Sequence, residues 1–184
     1  MNRRSFLYCS AAALAAAQAR EIRAAFIGVG RRGTGLLGQT LEQPGVRVAA
    51  VCDIDSNARD QAQGKAARDN PRSFADYRQA LDLRDVEAVI IATPCDLHAE
   101  MAAAALDAGK HVYCEKPLGI TPEQVDLALR ASRRSKAFLQ IGQQLRYYPA
   151  LREVIRQIHE DKILGATFVI KAQRHSTPSR QPRD

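Results

Sequence analysis

The sequence has no apolar run long enough to cross a membrane: the stretch from Phe6 to Ala17 stops short of the roughly 20 residues a spanning helix needs. It has no Cys-x-x-Cys pair and no Cys/His spacing of the kind that holds zinc, so no metal is expected. Repeats and long polar tracts are missing too, which excludes a solenoid or a disordered chain. No groove-reading motif and no interleaving of aromatic with basic residues accompanies the net charge of +7. The densest cationic cluster, Arg130, Arg133, Arg134 and Lys136, falls where a helix should end and complements its dipole, so no nucleic-acid partner is expected. What is present is a 184-residue chain, 46% hydrophobic and 26% charged, which is enough for one globular domain with a real core and a piece of another.

The start of the chain reads separately. MNRRSFLYCSAAALAAAQA opens on paired arginines, continues through the apolar stretch and reaches Ala17-Gln18-Ala19, a small-x-small cleavage site. The order Arg3-Arg4-Ser5-Phe6-Leu7 resembles the bacterial twin-arginine signal, whose pathway carries proteins already folded. That resemblance implies a removable signal over residues 1–19, a periplasmic or otherwise extracytoplasmic location, and no stable membrane anchor after cleavage. Cleavage would leave Cys52, Cys95 and Cys114, an odd number that cannot all pair within one chain.

From Glu21 short apolar runs alternate with helical patterns. IRAAFIGV, VRVAAVC, VEAVIIAT, KHVYC and AFLQIG read as buried strands. Between them, GTGLLGQTLE, NARDQAQGKAARD, SFADYRQALDL, DLHAEMAAAALDAG and TPEQVDLALRASRRS read as helices, with Gly109 closing the fourth, and with Thr121 as N-cap and Pro122 in the first turn of the fifth. Strands without polar alternation, each followed by a helix, predict an α/β domain built on a doubly wound parallel sheet of the Rossmann kind over residues 20–142. After Gly142 the rhythm changes. YYPALREVIRQIHED predicts another amphipathic helix, and LGATFVIKAQRHS a long, partly alternating strand before a polar tail from Thr177 to Asp184. Residues 143–184 therefore read as the start of an incomplete α+β substrate domain.

Gly28-Val29-Gly30-Arg31-Arg32-Gly33 follows the first strand and opens the first helix. In that context the first glycine permits a tight turn, the second lets backbone approach a pyrophosphate, and the third lets helix and strand pack closely. The second strand ends in Asp53, about 20 residues past the last glycine, where a carboxylate accepts hydrogen bonds from an adenosine ribose and repels a 2′-phosphate. NAD is the expected cofactor. Arg31 and Arg32, near the phosphates, keep NADP open, although both also suit solvent at a helix start.

The stretch KHVYCEKPLGI, residues 110–120, runs a buried strand into Glu115-Lys116-Pro117, a costly place for two charges. With the upstream IIATPCDLHAEMAAAALDAG and the downstream LQIGQQLRYYPAL, it resembles the Gfo/Idh/MocA family of NAD(P)-dependent oxidoreductases acting on sugars and polyols. The resemblance implies that Thr93 and Pro94 line the cofactor's path, that Glu115 contacts the nicotinamide-side ribose, and that Lys116, often in a cis bond with Pro117, faces both cofactor and substrate hydroxyl. Lys116 would be the catalytic residue, since a partly buried ammonium is more easily deprotonated and stabilises a developing alkoxide. The plain alternative is a lysine that only salt-bridges Glu115. His98 reads as a structural or cofactor-edge residue, and His111 carries no role.

GQQLRYYPAL matches the family's crossing between domains, and Arg146 and Tyr147 there would either reach substrate or serve core packing or a helix cap; Gln143, Gln144 and Leu145 depart from the usual pattern. The family's second domain supplies an acid and a histidine that would lie beyond Asp184, so the chain is expected to be truncated and its full-length parent to be a homo-oligomer. A small carbohydrate or polyol is the implied substrate. Two other readings stay open: an NAD-dependent glycoside hydrolase of the same superfamily, working by transient oxidation, and a non-catalytic dinucleotide- or sugar-binding protein.

Overall fold

The apolar runs become six strands: β1 (Ile22–Ile27), β2 (Val46–Cys52), β3 (Arg72–Phe74), β4 (Ala88–Ile91), β5 (His111–Glu115) and β6 (Leu139–Gly142). They form one sheet, β3-β2-β1-β4-β5-β6, with every pairing parallel. The computed structural model describes residues 21–166, 169–171 and 173, so the expected signal over residues 1–19 lies outside the described residues. Helices α1 (Arg31–Leu41), α2 (Ser56–Lys65), α3 (Tyr77–Leu81), α4 (His98–Asp107) and α5 (Pro122–Arg134) connect the strands, and α6 (Pro149–His159) follows β6. None is long and apolar enough to cross a membrane.

Burial on both faces explains why β1 shows no polar alternation. Successive side chains of a strand point to opposite faces. Phe26 joins Leu37, Val48, Val51 and Ala62 on one side, while Ala25 and Ile27 join Val89, Leu106 and Val112 on the other. This is the doubly wound Rossmann architecture. The helices are capped as the sequence predicts in the clearest case: Thr121 accepts from the Gln124 N–H at the start of α5. Asp55 and Asp76 do the same work for α2 and α3. Gly109 stands at φ +73°, ending the chain's run through α4. Helices α4 and α5 pack together, with Ala99, Ala102, Ala103 and Ala105 of the first and Ala128 and Ala131 of the second buried.

The structure corrects the sequence reading in two places. Ser73 and Phe74, expected to open the helical segment SFADYRQALDL, belong instead to the edge strand β3, paired with Ala50, Val51 and Cys52 of β2. Three residues are too few to show a period, so pairing decided the matter. The helix expected to run through Ala67–Asp69 ends at Lys65, and those residues form a separate 3₁₀ turn closed by Asn70 at φ +50°. The strand expected from Leu164 falls in part outside the described residues: of it only residues 164–166, 169–171 and 173 are described, and none of these is paired in a strand. Its remaining residues, and the tail to Asp184, lie outside the described residues.

The chain divides into two compact units between Gly142 and Gln143. In the second, a 3₁₀ turn over Gln144–Tyr147 precedes α6, where Arg156 pairs with Glu153 and Asp161 and holds the Glu153 carboxyl down at about 2.

Candidate active site

The sheet order reverses between β1 and β4, and the crevice beyond the carboxyl ends of strands at such a reversal is where ligands bind in open α/β sheets. The glycine turn stands there. Gly28, at φ +83°, donates its N–H to Cys52 O at 2.8 Å, and a Cβ on it would lie 2.7 Å from backbone atoms of Ala92 and Thr93. On Gly33 a Cβ would lie 1.9 Å from Gly28 O, so α1 approaches the turn as closely as only glycine permits. Gly30 differs: a Cβ there would meet nothing within 4 Å. It caps α1 without a side chain, which leaves the helix's first N–H groups and its positive dipole end open to an anion.

Asp53 is tied to this turn. Its Oδ2 accepts from Val29 N at 2.8 Å and its Oδ1 from Asp55 N at 3.1 Å. A carboxylate oxygen takes more than one hydrogen bond, so acceptor capacity remains for a ribose. Gly28, Gly30, Arg31, Asp53, Thr93 and Pro94 line one cavity of about 890 Å³, within the range of small-molecule and cofactor sites. Ile54, Asp76, Tyr77, Arg78, Leu97 and Met101 are among the others that line it, and sequence reasoning missed all six. Ile54 is 91% exposed, but a single exposed isoleucine is ordinary, so nothing in the run Asp53-Ile54 marked it in the sequence.

A second group gathers at the end of β5. Glu115 is 5% exposed, and Arg32 donates to its Oε1 from Nε at 2.8 Å and closes a still shorter contact from the guanidinium's terminal nitrogen. Tyr113 Oη donates to the same oxygen at 3.3 Å, while among the described residues Oε2 takes only Lys116 N at 3.3 Å. Hydrogen bonding to Glu115 raises the Arg32 pKa, and burial followed by the Glu115 charge raises that of the Tyr113 phenol. The two arginines of the glycine turn are thus divided: Arg31 lines the cavity and Arg32 serves Glu115. Lys116 is exposed, its bond to Pro117 is cis, and among the described residues its ammonium has no salt bridge. The lysine that only pairs with Glu115 is therefore not what the fold contains, and neither is the burial expected for its ammonium.

His98, 1% exposed at the start of α4, links the two groups: Nε2 lies 2.9 Å from Thr93 O and Nδ1 2.6 Å from Pro117 O. The ring spans the β4 and β5 corners rather than opening to the cavity. Cys52 and Cys114 are buried, with burial pushing their thiols up to about 11 and about 12, whereas Cys95 is exposed. Arg146 and Tyr147 stand in the second unit, where with Arg152, Glu153 and Arg156 they line a groove of about 690 Å³.

Open space over Gly30, a cradle at Gly28 and Gly33 too tight for any Cβ, and a carboxylate at the end of β2 fit a dinucleotide. Residues 22–143 match the Gfo/Idh/MocA oxidoreductase family, described by its NAD-binding Rossmann fold. Inositol 2-dehydrogenase of Salmonella typhimurium is 35% identical over 139 residues, covering 73% of this chain and 41% of that protein. A glycosyl hydrolase family 109 protein of Shewanella amazonensis is 42% identical over 112 residues, 57% of this chain and 25% of that protein. The crystal structure of myo-inositol 2-dehydrogenase from Lactobacillus plantarum superposes with a TM-score of 0.71 at 28% identity, over 78% of this chain and 42% of its own. The chain spans less than half the length of the curated relatives it matches.

Proposed function

The chain belongs to the Gfo/Idh/MocA family of oxidoreductases with an NAD-binding Rossmann fold, and on that premise we propose that the protein moves a hydride between a hydroxyl-bearing carbon of a sugar or polyol and a nicotinamide cofactor. The observation that carries this reading is the gathering of Gly28, Gly30, Asp53, Thr93, Glu115 and Lys116 at the carboxyl ends of β1, β2, β4 and β5. The 35% identical inositol 2-dehydrogenase supports a polyol as substrate.

When bound, the nicotinamide supplies the hydride acceptor, or the donor in reverse. The turn at Gly28 and Gly30 and the start of α1 bind the diphosphate. Asp53 takes the adenosine ribose hydroxyls and favours NAD, while Arg31, in the same cavity, tempers that preference. Glu115 holds the nicotinamide-side ribose. With its own proton first given up to solvent, the Lys116 amine would take the hydroxyl proton as the carbon gives up its hydride to the nicotinamide, and the resulting ammonium would return that proton in the opposite direction. Because Lys116 is exposed, exclusion of water around it falls to the bound substrate and cofactor.

The test follows reduced nicotinamide while the protein is given NAD or NADP with a panel of cyclic and linear polyols. Lys116→Met should lower kcat by about 100-fold or more, as loss of a proton-transfer group does. Its NAD affinity should stay within about tenfold, roughly 1.4 kcal/mol. Unchanged turnover removes Lys116 from the chemistry. A second reading is favoured by the 42% identity to a glycosyl hydrolase family 109 protein: net hydrolysis of a glycoside with the cofactor restored in each cycle. Cleavage of a glycoside with no accumulation of reduced cofactor assigns that activity instead.

A further inference from the structure

Arg32 stands in a glycine turn that binds phosphates in proteins of this fold, yet two of its three guanidinium nitrogens are turned to Glu115. Its Nε lies 2.8 Å from Glu115 Oε1, and its terminal nitrogen is on the same oxygen. The two residues are far apart in sequence and belong to the loop after β1 and the end of β5. A carboxylate 5% exposed is expensive to hold ionised without a partner, and Arg32, itself half-exposed, is the only cation paired with it among the described residues. Three donors converge on Oε1, from Arg32 twice and from Tyr113 Oη. Oε2 receives one long contact, from Lys116 N at 3.3 Å. An ionised carboxylate oxygen has two acceptor positions, so Oε2 keeps capacity that Oε1 has lost.

We propose that Arg32 is a positioning residue for cofactor binding: it orients Glu115 through Oε1 so that Oε2 stays available to the diol of the nicotinamide-side ribose, and it is not itself a phosphate ligand. The proposal rests on the dinucleotide reading above and deepens it by dividing the arginine pair. Arg31 lines the cavity with the glycine turn, and Arg32 reaches the other end of the dinucleotide through Glu115.

ADP and NAD separate the roles, because ADP carries the adenosine and both phosphates but lacks the nicotinamide-side ribose. Both ligands are titrated calorimetrically against the full 184-residue chain, its Arg32→Gln and Glu115→Gln variants, and the double variant. Arg32→Gln should weaken NAD by about tenfold, the scale of a lost hydrogen bond to a charged group, and leave ADP within about twofold. In the Glu115→Gln background the further change on losing Arg32 should vanish, since a residue acting through another has nothing left to act on. The double variant also guards against a single variant that fails to fold, because it leaves no unpaired buried charge. Equal losses for ADP and NAD would make Arg32 a phosphate ligand and overturn the proposal. So would a loss of NAD affinity that persists undiminished without the Glu115 carboxylate, or unchanged NAD binding in Arg32→Gln. A wild-type chain that binds ADP but not NAD would instead overturn the nicotinamide half of the dinucleotide reading, and this proposal with it.

Discussion

Replacing Gly30 by alanine should leave folding intact and impair cofactor binding, while the same change three residues on should do the reverse damage first. Gly30 has φ −63° and ψ −165°, backbone that alanine adopts without strain, and a Cβ there meets no atom within 4 Å. Alanine caps a helix less well than glycine but also lowers the entropy of the unfolded chain, so the two effects offset to within about 1 kcal/mol. At Gly33 a Cβ would sit 1.9 Å from the Gly28 carbonyl oxygen, a backbone atom that moves only if α1 moves. Overpacking of that kind should cost at least about 2 kcal/mol. Urea unfolding and calorimetric titration with NAD read the two quantities apart. Gly30→Ala should unfold close to the wild-type midpoint and bind NAD at least about tenfold more weakly, roughly 1.4 kcal/mol, because the methyl fills the space a diphosphate needs. Gly33→Ala should unfold at clearly lower urea. A Gly30→Ala protein that binds NAD as the wild type does would show that the space over Gly30 is not the diphosphate site. One that unfolds as readily as Gly33→Ala would show that the turn is packed differently.

His98→Leu removes a side chain, 1% exposed, that spans the Thr93 and Pro117 carbonyls, and should cost about 2–3 kcal/mol, read as a melting temperature lower by about 5–10 °C. A melt within about 1 °C of the wild type would mean that the two corners do not depend on that ring. Alkylation at about pH 8 followed by mass spectrometry should label Cys95 and leave Cys52 and Cys114 intact until the protein is denatured. Burial disfavours their thiolates, which gain population only as pH climbs toward about 11 and about 12, so raising the pH by a unit should not expose them; labelling of Cys114 in the folded protein contradicts this.

The strands and most helices were legible because each depends on a signal that the chain carries locally. The double burial of β1 appears as an unbroken apolar run, and Thr121 and Gly109 mark helix ends by their own chemistry. Glycines that must approach backbone are equally local. What stayed hidden depends on partners distant in sequence. Strand β3 exists because β2 offers an edge, not because Arg-Ser-Phe has a period. The bond between Arg32 and Glu115 joins residues whose proximity follows only from the β1-β4-β5 order, and nothing in Gly-Val-Gly-Arg-Arg-Gly says which arginine turns toward that corner. The cavity residues Asp76, Tyr77 and Arg78 enter at the N-cap and first turn of α3, a helix too short to carry a pattern of its own.

The alanines between α4 and α5 make a thin layer. Helix α4 begins at His98, which grips both strand-end corners, and α5 begins just after the segment that leaves Pro117. Pairing of β4 with β5, Ile91 opposite Cys114, fixes how far apart the two corners stand, and the alanine methyls let both helices lie close together beside that pair. A larger side chain at Ala102 or Ala131, both fully buried, would overpack that layer, and the helix that gave way would carry with it the His98 end of α4 or the segment that leaves Pro117.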